Sequence, residues 1–238
     1  MFVVGAAPAL LVFYIRRSVE ESPAWLAGTA AKRASAREIW QALSGQVPTL
    51  LFLVVLMACF NAFSHGSQDL YPTFLQVQRG FDASTTGSIA IVFNVGALCG
   101  GMFFGAISER IGRRRAIATA ALLALPAIPL WAFSSTAPML ALGGFVMQFM
   151  VQGAWGIVPA HLNELSPPAV RAILPGFAYQ LGNLAMSRMA PLQAGIAEAH
   201  GNDYALVLAW TVGVVGVVLS IVTLAGREAK DVVLNAHE

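Results

Sequence analysis

Asn61-Ala-Phe-Ser64-His65-Gly66-Ser67-Gln68-Asp69-Leu-Tyr71-Pro72-Thr73 is the stretch that decides the fold. It runs straight on from residues 50–60, an apolar segment that makes the first half of a membrane crossing. Hydrocarbon holds no water to solvate a His or an Asp at that depth, so ionisable side chains there mark a substrate site, an ion site or a proton relay. On a helix, Asn61, His65, Gln68 and Asp69 stand at i, i+4, i+7 and i+8 and share one face. Pro72 then disrupts the main-chain bonding near the outer end. A polar stripe beside a helix break at membrane depth is how transporters build binding sites.

The rest of the chain supplies the membrane. Of its 238 residues, 57% are hydrophobic and 11% charged, with a mean hydropathy of +0.69. Soluble domains carry about 25% charged residues. Apolar blocks of roughly the 20 residues that a crossing needs fall at 48–74, 86–107, 116–133, 139–160, 172–196 and 204–225. Residues 1–15 are apolar but short, and read as the second half of a span whose beginning is missing. A signal peptide would need a basic region before its apolar one, whereas Arg16-Arg17 follows it. The expected organisation is therefore a partial transmembrane helix over 1–15, a cytoplasmic loop over 16–47 with a surface helix near 34–43, a six-crossing bundle over 48–225, and a cytoplasmic tail over 226–238.

Twelve of the fourteen Lys and Arg residues fall on one side of this arrangement, in the first loop, in Arg110, Arg113, Arg114 and Arg115, in Arg171, and in Arg227 and Lys230. Only Arg79 lies on the other side, and Arg188 falls inside a span. The bias makes these loops, and the C-terminus, cytoplasmic, in a multi-pass protein of the cytoplasmic membrane. The run Arg113-Arg114-Arg115 reads as a topology anchor, and the net charge of +2 gives no reason to expect nucleic acid as a partner. Cys59 and Cys99 both lie in spans, and neither they nor the four scattered histidines have metal-ligand spacing, so no metal is expected. No phosphate-binding glycine loop or catalytic constellation appears in the short loops, so no enzymatic activity is expected.

Gly96-x-x-x-Gly100 and Gly101-x-x-x-Gly105 read as helix-packing surfaces. Ser166 before Pro167-Pro168 suits the N-cap of the 172–196 helix. Within that helix Gln180, Asn183 and Ser187 form a second polar face. Arg188, near its outer end, is either an anion-binding charge or a side chain that snorkels or pairs within the bundle.

Gly105-Ala-Ile-Ser108-Glu109-Arg110-Ile-Gly112-Arg113-Arg114-Arg115 resembles the cytoplasmic loop signature of the major facilitator superfamily, with Glu109 in place of the usual Asp. Glu164 and Arg171, in Glu-Leu-Ser-Pro-Pro-Ala-Val-Arg, are similar to a charged pair two crossings later in the same half. Arg16-Arg17-Ser-Val-Glu20-Glu21-Ser22-Pro23-Ala-Trp25 resembles the acidic-Ser-Pro motif after the sixth helix. The resemblance covers the whole chain. It implies an all-α membrane protein: the six-helix C-terminal bundle of a facilitator fold plus a partial preceding helix. Inner charge clusters such as Glu109, Arg113, Glu164 and Arg171 would gate by latching helix ends in one state and releasing them in another.

Asn61-x-x-Ser64-His65-x-Ser67-Gln68-Asp69-x-x-x-Thr73 resembles the seventh-helix signature of the carboxylate and sialate:proton symporter branch, which includes the fungal lactate/pyruvate permeases. The resemblance implies that Asn61, His65 and Asp69 support transport, with Gln68 on the same stripe, and that Gln180 and Asn183 shape substrate choice. It implies no cofactor beyond the coupling proton, and as partners a small organic anion, the lipid bilayer and a missing N-terminal half or a second copy. The expected activity is symport of a small monocarboxylate with a proton. Sialic acid, another organic acid or a sugar is the alternative cargo, and a non-transporting membrane subunit the alternative role. The residues themselves leave two roles open for His65 and Asp69. They can share a proton that follows the pH gradient, since a His changes charge near neutral pH, or they can form a static pair that pins the broken helix.

Overall fold

The computed structural model describes residues 44–167 and 170–228, with Val12 and Arg17. The expectations for a helix over 1–15, a surface helix near 34–43, the motif at 16–25 and the tail beyond 228 lie outside the described residues, as does Pro168.

The first crossing is α1 (Val47–Gln68) followed by the short α2 (Tyr71–Thr73) and a π-helical turn, Phe74–Gln78. Pro72 has no N–H to offer the carbonyl of Gln68, so the ladder gives out after Asp69 N bonds His65 O (3.1 Å). It resumes with Phe74 N on Leu70 O (2.9 Å). The expected break is present. Beyond it the outer segment is tied down by side chains. Tyr71 donates its hydroxyl toward the carbonyls of Trp131 and Leu140, each at 3.1 Å. Arg79 Nη2 reaches Ala132 O at 2.8 Å.

The chain continues as α3 (Ala83–Ile111), α4 (Arg113–Leu123), α5 (Ile128–Ala132), α6 (Ala137–Leu165), α7 (Leu174–Met186), α8 (Met189–Ala199) and α9 (Tyr204–Ala225). Asp82 caps α3 by accepting from Thr85 N at 3.1 Å, and hydrogen bonding from the Thr85 side chain, then from its main-chain N–H, holds this exposed carboxyl below its ordinary pKa. At the other end of α3, Gly112 turns the chain with φ +95°. Between α4 and α5 a 3-10 turn over Leu125–Ala127 accommodates Pro126.

Five segments among the described residues are long and apolar enough to span: Val47–Gln78, Ala83–Ile111, Arg113–Ala132, Ala137–Leu165 and Tyr204–Ala225. The crossing expected as one helix over 172–196 is broken into α7 and α8 at Ser187–Arg188. Pro191 explains the correction. It has no N–H for the carbonyl of Ser187 four residues back, as Pro72 has none for Gln68. Arg188 therefore stands exposed at a joint. Ser166 is also corrected. It closes α6, donating its hydroxyl to Leu162 O at 2.7 Å, rather than opening the next helix.

Phe60, Phe63, Phe74, Trp131, Met147 and Ile157 pack at the centre with 1% exposure or less. Leu98, Met102, Leu184 and Trp210, by contrast, are 67–70% exposed on outer faces, an apolar surface of the kind that lipid covers. Helices α3 and α6 approach backbone to backbone: a Cβ added to Gly96 or Gly100 would overlap the carbonyl of Phe145 or Phe149. The packing role expected of Gly96-x-x-x-Gly100 thus holds, while Gly105 faces open space. Gly100→Ala should lower the thermal unfolding temperature of the purified chain in detergent, costing on the order of 1–3 kcal/mol. Gly105→Ala, at an open helical position, should leave that temperature unchanged or raise it.

Candidate functional site

The stripe on α1 exists, but the bundle divides it. Gln68 turns toward Ser64, its Nε2 reaching Ser64 Oγ at 3.0 Å, and Ser67 Oγ donates to Ser64 O at 2.9 Å. From α6, Gln152 Nε2 meets Ser64 Oγ at 3.3 Å and Gln68 Oε1 at 3.5 Å, while Gln148 Nε2 meets Ser67 Oγ at 3.3 Å. These two glutamines, one helical turn apart in an otherwise apolar span, were missed in the sequence. Their i, i+4 spacing was the only signal. Asn61 is 1% exposed, and neither atom of its amide has a protein partner. An open cavity of about 230 Å³ adjoins Gln68 at the break, lined by Tyr71, Pro72, Thr86 and Asn94 among others.

His65 and Asp69 point away from that network. His65 Nδ1 and Asp69 Oδ2 are 3.0 Å apart, with the side chains 40% and 36% exposed. A contact so accessible contributes at most about 1 kcal/mol, so the pair is a weak structural pin.

Gln180 and Asn183 occupy α7, Gln180 exposed and Asn183 half-buried. Asn183 Nδ2 lies 3.5 Å from Gln180 Oε1, the outer limit of a hydrogen bond. Helix α7 crosses α1 where Gly182 lies over Met57, and Tyr179 meets Trp155 of α6 edge-on at 6.0 Å. Among the described residues, no hydrogen bond joins Gln180 or Asn183 to the stripe.

The charges of the signature loop gather where the ends of α3, α6 and α9 meet the start of α4. Arg113 and Glu164 are each 7% exposed and 2.8 Å apart, and Arg113 Nε also donates to both Glu164 oxygens, at 3.1 and 3.2 Å. Arg113 Nη2 lies 2.7 Å from Glu109, which is 64% exposed, and Nη1 lies 2.6 Å from Ser108 Oγ. Arg113 therefore joins the ends of α3 and α6 to the start of α4. One member of the cluster escaped sequence reading. Glu228 accepts from the main-chain N–H groups of Arg113 and Arg114 at 3.1 and 3.2 Å, capping α4. Arg114 in return donates to the last carbonyls of α9, Thr223 O at 3.2 Å and Leu224 O. Only glycine fits at 112, where φ is positive and a Cβ would stand 2.7 Å from Glu228. The expected pairing of Glu164 with Arg171 does not form. Arg171 Nε instead bonds Asn163 O and Ser166 O at the end of α6, at 3.1 and 3.2 Å, because Arg113 already occupies the Glu164 carboxylate. Among the described residues, no group of three His, Cys, Asp or Glu stands close enough to hold a metal ion.

Apolar spanning helices, a proline-broken helix with an ionisable pair, and charges collected at one end define a multi-pass helical membrane bundle. Residues 56–225 match the family model described as "Sugar (and other) transporter". The chain belongs to that family, within the major facilitator superfamily. It is 36% identical over 189 residues to a carboxylic acid transporter protein homolog of Saccharomyces cerevisiae, a match covering 74% of this chain and 30% of that protein. It is 25% identical over 185 residues to the sialic acid transporter NanX of Escherichia coli, covering 76% of this chain and 44% of that protein. A facilitated glucose transporter, member 1 of solute carrier family 2, from Gallus gallus is 32% identical over 124 residues, covering 50% and 25%. The chain thus spans less than half the length of each of these relatives.

The two kinds of ion pair at this end should separate cleanly. Arg113→Met leaves the Glu164 carboxylate buried without its partner, and should cost about 3–5 kcal/mol of stability. Glu109→Gln, at an exposed position, should cost less than about 1 kcal/mol. Unfolding of the purified variants in one detergent measures both.

Proposed function

We propose that this chain forms one six-helix half of a proton-coupled symporter for small monocarboxylates, working in the cytoplasmic membrane with its C-terminus inside. The observation that carries the proposal is the His65–Asp69 contact: two ionisable groups at 3.0 Å in a broken membrane helix, both accessible. Protonated, the histidine makes an ion pair with the carboxylate; neutral, it makes a simple hydrogen bond. The pair thus has two charge states for a carrier to move between. The names of the yeast and bacterial relatives support an acidic cargo.

In this reading Asn61, whose buried amide has no protein partner, and Gln68 complete the α1 side of the path. Gln180 and Asn183 offer amide N–H groups to a substrate carboxylate, which when ionised only accepts hydrogen bonds. Glu109, Arg113, Glu164 and Arg171 fix the cytoplasmic helix ends. Because Arg113 binds partners within one bundle, the cluster makes that bundle a rigid body able to rock against another. A second half, either an N-terminal one or another copy, closes the cavity. Sialic acid, another organic acid or a sugar remains the alternative cargo.

In a full-length transporter carrying these helices and reconstituted in vesicles, His65→Ala and Asp69→Asn should each cut carboxylate-driven proton uptake about tenfold, the effect of some 1.4 kcal/mol on a barrier. Wild-type proton uptake in both, at matched protein content, would leave the pair a structural role only. Orientation has its own check. In intact cells a single cysteine at Ser135 or Asn202 should react with an impermeant maleimide, while one at Arg115 should react only after the membrane is opened. External labelling at Arg115 would reverse the orientation.

A further inference from the structure

The last turn of α1 is held from outside by a residue that plays no part in the stripe. Gln193 of α8 is 2% exposed. Its Nε2 lies 2.9 Å from Gly66 O and 2.9 Å from Thr211 Oγ1 on α9. Thr211 donates its own hydrogen to Val207 O at 2.8 Å, leaving its oxygen lone pairs to accept from Gln193. Both hydrogens of the Gln193 amide are therefore committed, while its Oε1 has no partner. The side chain is placed by its donors alone.

Gly66 is where that placement matters. It follows His65 directly and precedes Asp69 by three residues. Its carbonyl sits where the main-chain ladder gives out, between Asp69 N on His65 O and Phe74 N on Leu70 O. A Cβ at this position would stand 2.6 Å from Thr211 Cγ2, so α9 approaches the same peptide. The side chains that meet Gly66 from neighbouring helices, Gln193 and Thr211, carry no titratable group. The two halves of the broken crossing also divide their work. Helix α7 carries Gln180 and Asn183, and α8, beyond the Ser187–Arg188 joint, carries Gln193.

We propose that Gln193 is a positioning residue for the His65–Asp69 pair. It supplies a side-chain donor to the turn that presents both groups, and so couples their placement to α8 and α9. The proposal rests on the proton-pair reading above and names what holds that pair in register.

Gln193→Met keeps the volume and removes the donor. In the full-length transporter, at matched surface expression, Vmax for proton-coupled uptake should fall several-fold while KM stays within about twofold, the pattern of a group that acts on turnover rather than on substrate binding. Gly66→Ala, which displaces Thr211, should reproduce it. A cysteine at Leu70 should react with a maleimide several-fold faster in the Gln193→Met background. Wild-type Vmax and labelling, or a rise in KM alone, would overturn the proposal. Should Gln193→Met fail to reach the membrane, Thr211→Val serves in its place. It removes the acceptor that steadies Gln193, and should give a partial loss of Vmax, with wild-type behaviour counting against the proposal. Wild-type proton uptake in His65→Ala would sink the proton-pair reading, and the Leu70 labelling rate would still decide whether Gln193 holds the turn.

Discussion

Every main-chain N–H and C=O inside a bilayer must find its partner within the protein, and each interruption of a helix here is organised around that requirement. Pro72 and Pro191 each remove the donor for a carbonyl four residues back, and each breaks its crossing. At the first break one lost bond is restored by a neighbour, and the outer segment is tied down by its own side chains. Tyr71 reaches two carbonyls on the adjoining helices, Arg79 reaches a third, and Gln193 supplies a donor to Gly66. The break in turn frees the last turn of α1 to carry a histidine and an aspartate outward, where an unbroken apolar helix would have had no use for them.

Charge is handled differently at the two ends of the bundle. At one end Arg113 and Glu164 are buried together, with three guanidinium nitrogens directed at carboxylates or a hydroxyl. Such an arrangement tolerates low dielectric only because almost every lone pair and proton is matched. In the stripe, His65 and Asp69 are accessible and touch little besides each other. The first is a fixed joint. The second is an open contact on the helix surface.

The sequence foretold the parts whose physics is local. The last span, over 204–225, matches α9 at both ends, and the His65–Asp69 contact followed from four-residue spacing on a helix. The close packing of Gly96 and Gly100 followed from small residues one turn apart. Misread elements depended on distance in space. Glu164 looked for a partner in Arg171, seven residues on, whereas its carboxylate is taken by Arg113, 51 residues away. Gln148 and Gln193 appear in the sequence as lone amides in apolar runs, and their partners stand 81 and 127 residues off. The break at Ser187–Arg188 was local and legible, since Pro191 is in plain view. The apolar run around it masked the signal.

The reciprocal capping of α4 and α9 also sets an order of assembly. The N–H groups of Arg113 and Arg114 wait for a carboxylate that lies 115 and 114 residues further along. At about 5–20 residues per second of synthesis, that delay is roughly 6–23 s. Glu164 arrives sooner, 51 residues after Arg113, so the ends of α3, α4 and α6 can be stapled while α7 to α9 are still being made. Through that interval the positive end of α4 stands open at the membrane surface. It closes only when α9 has been inserted and Glu228 has cleared the ribosome, so this joint forms after the Arg113–Glu164 one.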